Sequence, residues 1–269
     1  NIAEALSGAE QIYLAVPSQT LRENLMAWHS FIPKDAILVS LIKGLEQGTG
    51  LRMSEVISQA ANIESSRIAV LSGPNLALEI AKEQPAASVC ACEDLENASK
   101  VARVCSSDYF TVFTNQDVVG TELGGVLKNL IAVAIGIVNG RGYGQNTKAS
   151  IMTRGLAEIT RFAVDHGARR RTMFGLAGLG DLIATSESSL SRNFRAGEML
   201  GKGYTKKEVL KRMQQTAEGL SSVKPVLEIA LQRGIDMPIV SQVSEVIEGT
   251  MKPSDFGRQL NLADDVEVE

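Results

Sequence analysis

The stretch near 118–139 (VVGTELGGVLKNLIAVAIGIVN) predicts a helix that is apolar around almost its whole circumference. Such a helix has no face to give to water and belongs at the buried centre of the fold. Lys128 and Asn129 sit in its middle. An ammonium there must be paired, neutralised or put to use, because isolated burial of a charge is costly. Gly124 and Gly125 lie four and three residues before Lys128, on the same helical face. Each costs a helix about 1 kcal/mol relative to alanine. The compensation expected is close approach of a ligand or another backbone to the amine. In the competing reading Lys128 snorkels to solvent and the glycines serve helix packing. The functional reading is the one adopted.

A lysine base must lose its proton near neutral pH, and the ordinary lysine pKa of about 10.4 is too high for that. A partly dry pocket and a neighbouring cation both lower it. Lys43, in IKGLEQG after a predicted strand, is the candidate second cation, although alone it reads as an exposed loop lysine.

The residues before 116 follow another grammar. Short apolar runs at 11–17, 36–41, 67–71, 86–92 and 109–114 predict strands, with helices at 19–29, 53–61, from 77, and near 97–106. Continuous apolar strands alternating with helices indicate a mainly parallel sheet covered on both faces. Ligands of such sheets bind beyond the carboxyl ends of strands. Pro17-Ser18, Lys43-Gly44 and Ser72-Gly73-Pro74 fall at those ends. From 116 to 269 the periodicity is helical, with segments near 118–139, 147–166, 192–200, 205–215, 219–233 and 239–248, so this half reads as an all-helical domain. Gly140–Gly144 lies between two helices and reads as their connection, not as a phosphate loop. Asn146, Thr147 and Lys148 read as a polar helix start, and Arg154 as an ion-pair or site residue.

One segment of the helical half carries further chemistry. In Leu176–Asn193 (LAGLGDLIATSESSLSRN) a small-residue turn delivers Asp181, then Thr185, and a serine-rich loop leads to Ser191-Arg192-Asn193 at a helix start. Helix N-termini favour anions and arginine adds a bidentate fork, so a small hydroxylated phosphate would fit. The alternative makes Asp181 and Ser191 two helix caps. Asp181 is also placed to orient Lys128 or to accept from a substrate hydroxyl.

Composition removes other classes. Aromatics are 4% of the 269 residues and the formal charge is −4 without a basic run, against nucleic acid or an anionic membrane as partner. The longest apolar run, Leu130 to Val138, reads as too short to span a bilayer. Cys90, Cys92 and Cys105 form an odd set without a disulfide frame, expected of a cytoplasmic protein. With two histidines in the chain, no metal site is expected. Oligomeric state, a homodimer included, stays open.

LAVPSQ at 14–19, SLIKGLE at 40–46, LSGPNLALEIA at 71–81 and GTELGGVLKNLIAVAIGI at 120–137 occur in that order. NTKASIMTRGL at 146–156, GLAGLGDLIAT at 175–185, SRN at 191–193 and AEG at 217–219 follow. Together they closely resemble bacterial NAD(P)-dependent sn-glycerol-3-phosphate dehydrogenases over nearly the whole chain. The resemblance implies a Rossmann domain over 1–115 and a helical substrate domain over 116–269. It also implies interconversion of sn-glycerol 3-phosphate and dihydroxyacetone phosphate with NAD or NADP, feeding glycerophospholipid synthesis. By that likeness Lys128 is the proton acceptor, and Lys43 contacts both substrate and cofactor. Gly73, Asn75, Asp181, Ser191, Arg192 and Asn193 bind substrate, with Asn75 standing where a hydroxyl residue is common. Ala77, Arg192, Thr216 and Glu218 touch the dinucleotide.

The departure is the glycine fingerprint, G-x-G-x-x-G after a first strand, which the chain lacks. The expectation is an incomplete Rossmann-type sheet and, for residues 1–269 alone, weak binding of NADH or NADPH with negligible turnover. Two alternatives stand beside the oxidoreductase: a non-catalytic interaction module, and a related ketopantoate- or β-hydroxy-acid-type dehydrogenase.

Overall fold

The computed structural model describes residues 1–213 and 217–258. Packing divides the chain into two compact units. The first comprises Asn1–Gly125 and His166–Asp181; the second takes Val126–Asp165 and the chain from Leu182 on. The first unit therefore runs past residue 115 and regains a later segment.

The first unit opens with α1 (Ile2–Leu6) and is built on strands β1 (Gln11–Leu14), β2 (Ile37–Ser40), β3 (Ile68–Ser72), β4 (Ala86–Cys92) and β5 (Phe110–Asn115). They lie in the order β1-β2-β3-β4-β5. β1, β2 and β3 pair in parallel, as do β4 and β5. β3 and β4 are antiparallel. The sheet is thus mainly parallel, with one reversal that the apolar pattern does not reveal. The connection between β3 and β4, residues 73–85, holds only the four-residue α4 (Ala77–Ile80) and no crossover helix of the length of those at Met53–Ala61 and Leu95–Cys105.

Crossover helices α2 (Leu21–Trp28), α3 (Met53–Ala61) and α5 (Leu95–Cys105) bury both sheet faces. Leu38 joins Leu14, Leu21, Leu25, Val56 and Ile57 in one core cluster. Its strand neighbours Ile37 and Val39 join Cys90, Ala98 and Val101 in the other. Successive strand side chains point to opposite faces, so a strand buried on both must be apolar throughout.

The long apolar helix is α6 (Val118–Gly140). At 23 residues it rises about 34 Å. By length and composition it is long and apolar enough to cross a membrane, which corrects the reading based on Leu130–Val138 alone. Its apolar window is 89% buried within the protein, as in a core helix.

In the second unit α6 continues, followed by α7 (Gln145–Asp165). α7 starts before Asn146, so Asn146 and Thr147 lie inside its first turn and do not precede it. The returning segment of the first unit holds α8 (Arg170–Met173) and a π-turn at Leu176–Gly180, and α9 (Asp181–Glu187) starts at its last residue, within the segment read as a turn and a serine-rich loop. Then come α10 (Arg192–Gly201), α11 (Lys206–Arg212), α12 (Glu218–Gln232) and α13 (Pro238–Glu248).

α6 and α10 meet backbone to backbone. A Cβ on Gly136 would lie 2.2 Å from the Phe194 carbonyl oxygen, and one on Gly197 would lie 2.1 Å from that of Val133. Gly140 and Gly201 repeat the arrangement one turn on. This contact fixes the helix whose first turn holds Arg192 and Asn193.

Candidate active site

In the first unit the chain leaves β2 and reaches Lys43, whose Nζ donates to Asp181 Oδ2 at 2.6 Å and to the Gly73 carbonyl at 3.1 Å. The Asp181 side chain is 3% exposed and that of Lys43 is 23% exposed. A carboxylate so buried needs a partner, and a charge-assisted bond of this length is a strong one. Asp181 is the first residue of α9 and Gly73 follows the last residue of β3. The structure thus joins three of the expected site residues, which lie far apart in sequence. Lys43 is no idle loop lysine.

Asn75 stands beside them. Its Nδ2 donates to Ser88 Oγ at 3.1 Å, while its Oδ1 and Ser72 Oγ are buried without a hydrogen-bond partner. Ala77 is exposed at the start of α4. The two glycines of α6 admit protein atoms. A Cβ on Gly124 would lie 2.7 Å from the Ala177 carbonyl oxygen; one on Gly125 would lie 2.7 Å from Ser72 Oγ and 3.4 Å from the Lys43 stem. They thus admit another backbone at Gly124 and the Ser72 and Lys43 side chains at Gly125.

Sequence reasoning missed Glu122, one turn before Gly125. It is 4% exposed, with Ser54 N and Oγ and Arg52 Nη1 all donating to its carboxylate at 2.5–2.8 Å. Burial pushes its carboxyl up from the usual range, opposed by Arg52 and those donors. The available signal was an acid inside a helix apolar all round.

In the second unit Lys128 is 6% exposed, and its Nζ donates to Thr185 Oγ1 at 2.5 Å. Thr185 lies on α9 (Asp181–Glu187). Ser191 caps α10, its Oγ accepting from Phe194 N at 3.2 Å, which is the capping role foreseen as an alternative. Arg192 is exposed and Asn193 buried. Asn193 Oδ1 accepts from Gly219 N at 2.9 Å, tying α10 to the residue after Glu218. Arg154 is half-buried on α7. Thr216 lies outside the described residues.

Residues 1–98 match the family model described as NAD-dependent glycerol-3-phosphate dehydrogenase N-terminus. Residues 117–258 match its counterpart for the C-terminus. The chain belongs to the NAD-dependent glycerol-3-phosphate dehydrogenase family. A glycerol-3-phosphate dehydrogenase (NAD(P)+) of Leifsonia xyli is 56% identical over 269 residues, all of this chain and 73% of the relative. One from Thermobifida fusca is 50% identical over 255 residues, 95% of this chain and 76% of the relative. The crystal structure of glycerol-3-phosphate dehydrogenase from Coxiella burnetii superposes with a TM-score of 0.90 at 33% identity, covering 97% of this chain and 79% of that one. Membership in the glycerol-3-phosphate dehydrogenase family accounts for a Rossmann-like sheet followed by a helical part, as the fold was read.

Proposed function

We propose that the protein interconverts sn-glycerol 3-phosphate and dihydroxyacetone phosphate with NAD(P), with Lys128 as the proton acceptor. The observation that carries the reading is the buried Lys128 side chain, whose Nζ is held by the Thr185 hydroxyl and, as the neutral amine, can accept a proton. A base held by a directional bond has a defined place from which to act on a substrate hydroxyl. In the oxidative direction Lys128 takes the proton of the C2 hydroxyl as the C2–H bond gives up hydride. In reduction it returns that proton to the carbonyl oxygen.

Bound NAD(P) supplies the hydride acceptor or donor. In the first unit Lys43 would offer a cation to its phosphoryl oxygens; in the second, Arg192 would offer another and the Glu218 carboxylate would accept from a hydroxyl or amide. Ala77 would leave room for it. Asp181, Gly73, Asn75, Ser191, Arg192 and Asn193 are assigned to substrate, with residues 1–115 as the dinucleotide half and 116–269 as the substrate half. Reduction would supply a precursor of glycerophospholipids, in the cytoplasm, a compartment consistent with unpaired cysteines.

The test is Lys128→Ala in the full-length enzyme, followed by loss of reduced-nicotinamide absorbance with dihydroxyacetone phosphate. General-base removal lowers kcat by about 100- to 10,000-fold. A near-normal kcat overturns the base assignment, and faster turnover of ketopantoate than of dihydroxyacetone phosphate overturns the substrate.

A further inference from the structure

Lys43 sits in a loop that would be free to drift if β2 alone held it. It is instead closed at its far end. Leu45 and Arg52 form an isolated antiparallel bridge, and Glu46 N donates to the Leu51 carbonyl at 2.9 Å. Arg22 grips Glu46 with two bonds of 2.7 and 2.9 Å, and Gln19 Nε2 donates to the Leu45 carbonyl at 2.9 Å. These bonds make the segment from Lys43 to Arg52 one stiff piece.

That piece meets α6 at two points. The Lys43 stem passes over Gly125, and Arg52 reaches Glu122 one turn earlier. The clasp at Glu122 is fully built. Oε1 accepts from Ser54 N at 2.8 Å; Oε2 accepts from Ser54 Oγ at 2.5 Å and from Arg52 Nη1 at 2.7 Å. Arg52 also pairs through Nη2 with Glu55 at 3.1 Å, so its guanidinium is bound to two carboxylates. No step of the proposed reaction uses Glu122, yet three donors converge on its buried carboxyl.

We propose that Glu122 is a positioning residue for Lys43: by clasping Arg52 and Ser54 it docks the Lys43–Arg52 segment on α6 and sets where Lys43 Nζ stands against Asp181 and Gly73. This rests on the reading that Lys43 contacts substrate. Glu122→Gln keeps the volume but puts an amide where three donors now converge, so the segment loosens while the helix remains.

The test is a double-mutant cycle in the full-length enzyme, read in KM, kcat and Tm. Displacing a positioning group by about an ångström costs up to about 100-fold. Glu122→Gln is expected to raise KM for dihydroxyacetone phosphate about tenfold where Lys43 is present, with a smaller change in kcat. In a Lys43→Ala background it is expected to raise KM no further, while lowering Tm equally in both backgrounds. A merely structural role would lower Tm and raise KM alike in both. Equal KM increments in the two backgrounds, or an unchanged KM for Glu122→Gln when Lys43→Ala raises it, overturn the proposal alone. An unchanged KM for Lys43→Ala overturns the reading of Lys43 and the proposal with it. Arg52→Gln attacks the clasp from its other side and replaces Glu122→Gln in the cycle if that variant does not fold.

Discussion

Asn193 Oδ1 accepts the backbone N–H of Gly219 at 2.9 Å. One side-chain amide on α10 thereby satisfies a donor in the first turn of α12, where N–H groups have no partner within their own helix. The bond also orients the amide: with the oxygen committed to Gly219, Nδ2 is the donor that remains for another acceptor. A side chain on Gly219 would destroy the arrangement, since its Cβ would lie 2.9 Å from both Asn193 Oδ1 and the Asn129 carbonyl oxygen.

Asn193→Asp and Asn193→Ala should therefore separate two roles. The aspartate keeps an acceptor for Gly219 N but loses the donor and adds a negative charge. Its Tm should stay near that of the parent while KM for the phosphorylated substrate rises. The alanine leaves a buried N–H without its acceptor, costing about 1–3 kcal/mol, and should lower Tm as well. Equal loss of Tm in both variants would mean that the bond to Gly219 does not anchor α12.

The contact between α6 and α10 admits no side chain at Gly197, where a Cβ would lie 3.0 Å from Gly136 Cα as well as against Val133. Both neighbours are backbone and cannot turn aside. Gly197→Ala should destabilise the protein by about 1–3 kcal/mol or more, as overpacking does, seen as a lower urea midpoint. Gly144→Ala is the control, since nothing lies within 4 Å of a Cβ there. Similar midpoints for the two variants would contradict the packing account.

How much of this was legible beforehand depends on the range of the interaction. β2 (ILVS) and α6 announce themselves because burial on every side demands apolar residues in continuous runs, and Lys128 stands out against such a run. The pairing of Lys43 with Asp181 spans 138 positions, and nothing local to either residue encodes it. Gly197 and Gly201 sit among Arg195, Glu198 and Lys202, so local composition suggests a polar surface helix and not a backbone contact. Glu122 was overlooked because its partners, Arg52 and Ser54, belong to another element. The reversal at β4 was invisible because direction follows from the connection, not from the strand. Asp181 at a helix start was readable, but the π-turn before it depends on Gly178, whose Cβ would lie 2.1 Å from the Met173 carbonyl oxygen.

The thiols should differ in reactivity. Cys90 and Cys92 are fully buried in β4; burial pushes the Cys90 thiol up to about 12 and raises that of Cys92. Thiolate is the nucleophile, so both should be inert in the folded protein. Cys105 is partly exposed at the end of α5, with its Sγ 3.3 Å from the Tyr13 hydroxyl. Titration with a thiol-specific reagent should modify one cysteine per chain before denaturation and three after it, with peptide mapping placing the first at Cys105. Early modification of Cys90 would refute the burial argument.

Glu158 gives stability a dependence on pH whose sign is opposite to that of most paired carboxylates. On α7 it is 1% exposed, and each oxygen accepts one backbone N–H from the first turn of α13, Ile239 and Val240, both at 2.9 Å. Burial pushes its carboxyl up to about 7, outweighing those two bonds; Arg161 pulls it down and Asp236 adds to the rise. The unfolded chain has the ordinary value of about 4.3. Between these values the folded state binds more protons than the unfolded one, so stability falls as pH rises. The contribution is fully present below about pH 4.3, is lost as pH passes 7, and is on the order of 4 kcal/mol. Glu158→Gln cannot titrate. The difference in unfolding free energy between parent and Glu158→Gln, measured with urea, should therefore favour the parent more at about pH 5 than at about pH 8. A difference that is flat with pH, or that grows toward alkaline pH, would show that the folded Glu158 carboxyl titrates at or below its unfolded value.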